Sequence, residues 1–406
     1  MIAIYNPHKS EVYGRTFFGR LVGARYPAKY SYITELIAAG EVSVIVDEYG
    51  CSLPFRRING TKVGLLLSKF EFLMWTRING LTRSSVRILS SSTLLGAEDA
   101  LFVFAFEHLQ RYPCPTWNPP PPDVRCVVHL SHYFFRTWEI AANIREIKSA
   151  TLMSEVDLST SSLFFRTYFG PASPGLVVVP FAVQERFENR VPLRDRDMRA
   201  IAVGSFLTFV RAAQTEAMAD FYQSDTIHPL RKEIWERREE IGENIHVQIG
   251  YINEFVNKAK TNAANRIGGR ISSIGDFLTR KFLRNYGRSP HYQIDIVDSY
   301  NRFQMVVSPE ESGELPSIST FEAMACGCAV LCSADVAYSS IGMKPDVHYI
   351  EYNGSLDDLQ MKIRYYQRNQ DELSRIALAG EAFAREHFNL TTVKRRFVSC
   401  VAGTNM

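Results

Sequence analysis

The stretch Ser308-Pro-Glu-Glu-Ser-Gly-Glu-Leu-Pro-Ser-Ile-Ser-Thr-Phe-Glu-Ala-Met-Ala-Cys-Gly-Cys-Ala-Val-Leu331 decides the fold. It follows an apolar run, Phe303 to Val307, that reads as a buried strand, and it ends in a second such run, Ala329 to Cys332. Between them the chain passes through a loop of Gly, Pro and Ser and enters a short helix. Ser317, Ser319 and Thr320 are helix-starting residue types, and Gly327 stands where a helix C-terminus calls for a left-handed residue. Strand, loop, helix, strand is the repeating unit of a parallel α/β sheet. The free N–H groups at the helix start, Ser317, Ile318, Ser319 and Thr320, favour an anionic group such as a diphosphate. Glu314 lies on the loop and Glu322 is expected in the first helical turn. Each carboxylate can accept paired hydrogen bonds from vicinal hydroxyls, which suits a sugar joined to a nucleotide. Taken alone, the two glutamates fit a helix-dipole partner and a solvated loop residue better than a ligand pair.

The same rhythm runs outward in both directions. Toward the N-terminus, Ile2 to Tyr5, Val42 to Val46, Val124 to Leu130, Ala150 to Val156 and Leu176 to Val179 read as buried strands. A helical stretch, Tyr32 to Ala39, is closed by Gly40, and Pro119 to Pro122 form a stiff connection. The charged segment Gln184 to Arg199 reads as a linker. Ala200 to Val203 with Gly204-Ser205 begins a second strand-to-glycine-loop unit, followed by a strand at Ile245 to Ile249. Tyr251 to Tyr292, rich in Asn, Lys, Arg and Gly, reads as an insertion. Beyond the opening stretch, Leu356, Leu359, Ile363 and Tyr366, then Leu373, Ile376 and Ala377, carry helical periodicity.

Glu314 and Glu322 are separated by seven residues and followed by Ala-Met-Ala-Cys-Gly-Cys-Ala-Val-Leu. This resembles the E-x7-E signature of retaining GT-B glycosyltransferases, especially the large family 4 group. Asp358 to Arg385 is similar to that family's C-terminal helices, and Asn389 to Phe397 to its last helix, which crosses back to the first domain. Val177 to Phe187 is similar to its exit from the first domain. The resemblance implies an α/β fold of two Rossmann-like, doubly wound domains facing across a cleft. Residues 1–186 would form the acceptor-side domain, 187–199 the linker, 200–388 the nucleotide-sugar domain and 389–406 the crossing helix. It implies that Glu322 holds the donor ribose and Glu314 the transferred sugar.

The family also has a histidine facing the donor sugar near the end of a first-domain strand. His132, just past the strand, is the candidate for that place, and His129 is expected to pack in the sheet. Gly14 to Gly19, with Arg15, would form the acceptor-side edge of the cleft; a tight turn without a ligand fits the same residues. One departure stands out. The family commonly opens its second domain with a Gly-Arg loop and a nearby Lys for the diphosphate, whereas Gly204-Ser205-Phe-Leu-Thr has neither. Arg211, Arg231, Lys258 and Lys260 could supply the charge from elsewhere, although each fits a solvated surface role better and Arg231 to Glu243 reads as a solvated helix laced with opposite charges.

The implied reaction is transfer of a sugar from a nucleotide-sugar donor to a hydroxyl acceptor, a saccharide or glycolipid, with retained configuration. No cofactor and no metal are expected. The alternatives are a nucleotide-sugar hydrolase or epimerase, and a non-catalytic subunit that only binds the nucleotide-sugar.

Composition narrows the classes. With 406 residues and 46% hydrophobic content, two folded domains are the expectation. A net charge of +3 neither demands nor excludes a polyanionic partner, and no basic tract is long enough to suggest nucleic-acid binding, so no nucleic-acid partner is expected. Seven scattered cysteines, the nearest pair being Cys326 and Cys328, fit neither a zinc nor a redox spacing and suggest buried thiols in a reducing compartment. No leader peptide and no membrane span are expected, so the protein reads as cytoplasmic. Leu65 to Trp75, flanked by Lys62, Lys69 and Arg77, is expected to be a buried helix or strand, because Leu65, Leu66 and Leu67 do not sort onto one face. Peripheral contact with a membrane is the alternative for that segment.

Overall fold

The computed structural model describes residues 2–6, 30–47, 61–82, 86–89, 100–105, 109, 120, 122–170, 175–208, 215–251, 294–312, 315–333 and 335–404. The first domain contains β1 (Ile2–Tyr5), α1 (Ser31–Ala38), β2 (Ser43–Asp47), α2 (Lys62–Ile78), β3 (Val86–Leu89), β4 (Ala100–Phe104) and β5 (Arg125–His129). It continues through α3 (Thr137–Glu146), β6 (Ala150–Ser154), α4 (Leu158–Ser161), α5 (Leu163–Phe169) and β7 (Leu176–Val178). Its seven strands are ordered β3-β2-β1-β4-β5-β6-β7, and neighbouring strands pair in parallel. Helices cover a parallel sheet on both faces, so its strands read as unbroken apolar runs rather than alternating ones. Every residue of β1 and β4 is buried accordingly.

The second domain holds β8 (Asp197–Phe206), α6 (Glu216–Tyr222), α7 (Pro229–Glu236), β9 (Ile245–Tyr251), α8 (Ile296–Arg302), β10 (Phe303–Val307) and α9 (Ile318–Ala325). These are followed by β11 (Ala329–Cys332), α10 (Asp335–Ser339), β12 (Ile350–Glu351), α11 (Leu356–Arg368), α12 (Gln370–His387) and α13 (Leu390–Ala402). Its parallel strands are ordered β12-β11-β10-β8-β9. The strand order reverses between β1 and β4 in one sheet and between β8 and β10 in the other. Such a reversal opens a crevice at the carboxyl ends of the strands, where doubly wound folds bind ligands.

The last helix returns to the first domain. Asn389 caps α13 by accepting from Thr392 N at 2.9 Å. Phe397 then packs against Tyr32 and Phe102, with ring centroids 5.5 and 4.9 Å away, and Lys394 pairs with Glu35 at 3.2 Å. Apolar packing also joins the domains directly: Phe181 meets Phe321 at 5.7 Å, and Phe164 meets Phe221 at 5.3 Å.

Several expectations change. Strand β8 begins at Asp197, and Gly204 and Ser205 belong to the strand rather than to a loop after it, because pairing with β9 continues through Phe206 and Tyr251. The charged stretch before it is not simply solvated. Arg196 is buried and donates to Val191 O, Tyr300 O, Asn189 Oδ1 and Cys326 O, which ties the segment to the second domain. The charged run from Arg231 to Glu243 is helical only to Glu236, and Arg231 and Ile234 face inward. Lys62 to Ile78 forms a single helix, but the residues it buries are Gly64, Ser68, Glu71 and Trp75; Leu66 points to solvent.

Candidate functional site

Strand β10 delivers Ser308 to the carboxyl edge of the second sheet, and α9 starts beside it. Ser317 caps that helix by accepting from Ser319 N. The hydroxyls then form a connected set. Ser308 Oγ lies 2.8 Å from both Ser319 Oγ and Thr320 Oγ1, Ser317 Oγ lies 2.7 Å from Ser319 Oγ, and Thr320 Oγ1 lies 3.1 Å from Tyr338 OH. These bonds fix the rotamers at the helix start, where Ser319 N donates to Ser317 Oγ and Thr320 N to Ser317 O. Gly327 closes the helix with φ +74°, as its position in the sequence requires.

Arg231 reaches the same point from α7. Its Nη1 donates to Ser205 O at 3.3 Å and lies 3.2 Å from His228 Nε2. Its Nη2 donates to Pro309 O at 3.3 Å and Ser317 Oγ at 3.2 Å. Nε has no partner among the described residues. The guanidinium is buried, which pulls its pKa down, while Glu311 and Glu310 oppose that shift. Gly204 makes the approach possible: at φ +135°, a Cβ there would stand 3.2 Å from the guanidinium carbon. One buried cation therefore joins the end of β8 to the start of α9, at the place where the sequence lacks a Gly-Arg loop. Phe206 and Tyr251 stack 4.8 Å apart at the ends of β8 and β9 and extend this edge.

Glu322 lies in the second turn of α9, not the first, and does not cap the helix. It is half-buried. Burial pushes its carboxyl up to about 8, with the Arg186 charge acting in the opposite sense. Glu314, Arg211, Lys258, Lys260, Gly14 and Arg15 lie outside the described residues. Of the neighbouring loop carboxylates, Glu310 accepts from Ser333 N and Ser333 Oγ at 3.0 and 2.6 Å and is thereby pinned to the end of β11. Glu311 instead turns into the cleft.

The first domain faces this loop with the carboxyl ends of β5 and β6. His132 adopts φ +46° beyond β5. It lines a small cleft with Tyr30, Ser131 and Glu155 on one side and Glu311, Leu315 and Pro316 on the other. His129 is fully buried in the sheet, its ring packed against Tyr30 and Phe104 with centroids 4.8 Å away in each case. Its Nε2 lies 3.2 Å from Glu155 Oε1, which also accepts from Tyr30 OH at 2.8 Å. Burial, then the Glu155 charge, hold the Tyr30 hydroxyl well above its usual range. Sequence reasoning missed Tyr30, Glu155 and Glu311. Their only signal was position, at a strand's carboxyl end or on the loop after one.

The comparisons with known proteins bear on the fold. The solved structure of Anabaena Alr3699/HepE in complex with UDP superposes with a TM-score of 0.52 at 11% identity, covering 99% of each chain. The same protein in complex with UDP and glucose gives a TM-score of 0.50 at 10% identity, again over 99% of each chain. The chain has the GT-B fold. Its residues 248–398 match the family described as glycosyl transferase-like. A glycosyltransferase from Rickettsia africae ESF-5 aligns over 99% of this chain and 97% of its own at 10% identity, with a TM-score of 0.48. A search of curated protein sequences finds no match. Among the described residues of this GT-B chain, no group of three His, Cys, Asp or Glu is placed to hold a metal ion. No described helix is long and apolar enough to cross a membrane.

Proposed function

We propose that the chain transfers a sugar, with retention of configuration, from a nucleoside-diphosphate sugar to a hydroxyl of a saccharide or glycolipid. The observation that carries this reading is the convergence of Arg231, Gly204, Ser205 and the Ser317 cap at the carboxyl edge of the second sheet. A buried guanidinium beside a helix start meets a diphosphate with fixed donors, and fixed donors stabilise charge as it develops on a leaving group. Arg231 takes the diphosphate, together with the start of α9 at Ser317, Ile318, Ser319 and Thr320. Glu322 holds the ribose, whose vicinal hydroxyls can hydrogen-bond to its carboxyl. Glu314 contacts the transferred sugar, as the resemblance implies, and His132 meets that sugar from the first domain. Gly14 and Arg15 belong to the acceptor edge, and Arg211 is a second candidate cation. Positioning and charge stabilisation supply the catalysis, without a metal or cofactor.

The missing arginine after Gly204 was the motive for a subunit that only binds the nucleotide-sugar. Arg231 standing against that same glycine favours catalysis instead. The buried thiols Cys126, Cys326, Cys328 and Cys332 support a reducing, cytoplasmic setting.

UDP, held by the HepE structures, is the first probe. Calorimetry with UDP and a panel of other nucleoside diphosphates should give saturable binding for at least one. Turnover of the matching nucleotide-sugar should then depend on an added acceptor, and NMR of the product should show the donor's anomeric configuration. No nucleoside diphosphate bound, or an inverted product, overturns the reading. Equal donor consumption without acceptor identifies a hydrolase.

A further inference from the structure

Seven residues of α2 are exposed, and all seven are large apolar or cationic: Lys62, Val63, Leu66, Lys69, Phe70, Leu73 and Arg77. Val63, Leu66, Phe70 and Leu73 are 67%, 72%, 43% and 63% exposed. At 100° per residue they fall on one face, with the three cations on or beside it. The opposite face, Gly64, Ser68, Glu71 and Trp75, is buried. The helix is thus amphipathic in an unusual sense. Trp75 is the large apolar residue on its buried face, beside Gly64, Ser68 and its one acid, Glu71, while Val63, Leu66, Phe70 and Leu73 form an apolar stripe that faces out. No other element among the described residues exposes more than two large hydrophobic side chains.

We propose that this face of α2 docks the protein onto an anionic lipid surface. The four apolar side chains recur at i, i+3, i+7 and i+10 and occupy about 15 Å of helix. They would enter the boundary between headgroups and acyl chains, as helices lying in a membrane interface do. Lys62, Lys69 and Arg77 would meet lipid phosphates at the same level, their long aliphatic stems lying along the apolar stripe. Charge selects this occupant. A face with three cations and no acid complements a negative headgroup layer. A second copy of the same face would set like charges against each other. The proposal is independent of the transferase reading, and it places a glycolipid acceptor within reach of the first domain.

Full-length protein should co-sediment with vesicles of phosphatidylcholine containing about one third phosphatidylglycerol. Binding to pure phosphatidylcholine vesicles should be weaker, and raised salt should weaken the anionic binding. Leu66→Ser combined with Leu73→Ser should reduce partitioning on the order of a hundredfold, about tenfold for each anchor. Lys62→Gln with Lys69→Gln should reduce it on the order of tenfold and flatten the salt dependence. Because these side chains face outward, all variants should keep the wild-type melting temperature and nucleotide affinity. Absence of wild-type binding to anionic vesicles at low salt overturns the proposal, as does undiminished binding by the Leu66/Leu73 variant. A concentration-dependent dimer abolished by the same two substitutions would assign the face to a second copy instead.

Discussion

Arg231 Nη2 donates to Ser317 Oγ across 86 residues of sequence. That contact ties α7, which leads into β9, to α9, which follows β10, one on each side of the point where the strand order reverses. It also puts a positive charge at the positive end of α9. The two positive ends repel, and an anion bound between them would relieve that repulsion.

Arg231→Lys should separate charge from geometry. The ammonium keeps the charge but cannot reach Ser205 O, Pro309 O and Ser317 Oγ together. Affinity for UDP should fall by about 1.5–3 kcal/mol, the range for a lost charged hydrogen bond, while uridine binds as before. Calorimetry with both ligands checks it. Parallel losses would mean that Arg231 holds the loop and not the diphosphate.

Gly204→Ala should act on the same group from behind. The new methyl meets the guanidinium at about 3.2 Å, and alanine at φ +135° is strained. A loss of about 1–3 kcal/mol in stability is expected, together with weakened UDP binding, since Arg231 must move. Thermal melts with and without UDP test this. A variant melting like wild type would show that the strand end relaxes freely.

Glu322 should leave a mark on stability against pH. Its folded carboxyl titrates near 8, against 4.5 for the unperturbed group. Between those values the unfolded chain has released a proton that the folded chain still holds, so this group's contribution falls as pH rises through that window. Glu322→Gln cannot titrate. Its melting temperature should therefore gain on wild type from about pH 5 to about pH 8, and a difference that stays constant across that range would contradict the assignment.

The two histidines should divide cleanly. His129→Ala removes a packed ring beside Glu155 and Tyr30 and should lower stability by about 2–4 kcal/mol. His132→Ala removes a half-exposed side chain at φ +46° and should leave the melting temperature nearly unchanged. If it faces the donor sugar, turnover should drop more than nucleotide affinity. Steady-state kinetics and melts of both variants decide it, and full turnover in the His132 variant would confine the donor site to the second domain.

Strands were readable in the sequence because a parallel sheet buries both faces. β10 and β11 lie exactly where the apolar runs Phe303 to Val307 and Ala329 to Cys332 placed them. The helix between them was readable from its ends, since Ser317 and Gly327 answer to local backbone needs that no distant residue alters. Arg231 was not readable as a buried group. It stands in a run of charged residues, and its partners come from β8, the loop after β10 and the cap of α9. Glu155 was hidden for the same reason, since Tyr30 and His129 lie on other segments.

The sequence by itself determined the alternation of strand and helix and the caps of the second-domain motif, because buried periodicity and helix caps are local properties of the chain; the return of the last helix was implied only by the family resemblance. Only the tertiary structure decided which charges are buried and which face of a helix meets solvent. Arg231 went inward because a glycine backbone at Gly204 leaves room for its guanidinium and three oxygens accept from it. Leu66 and Leu73 went outward because Trp75, Ser68 and Gly64 took the side that packs on the domain. Burial is a property of neighbours, and neighbours are set by the fold.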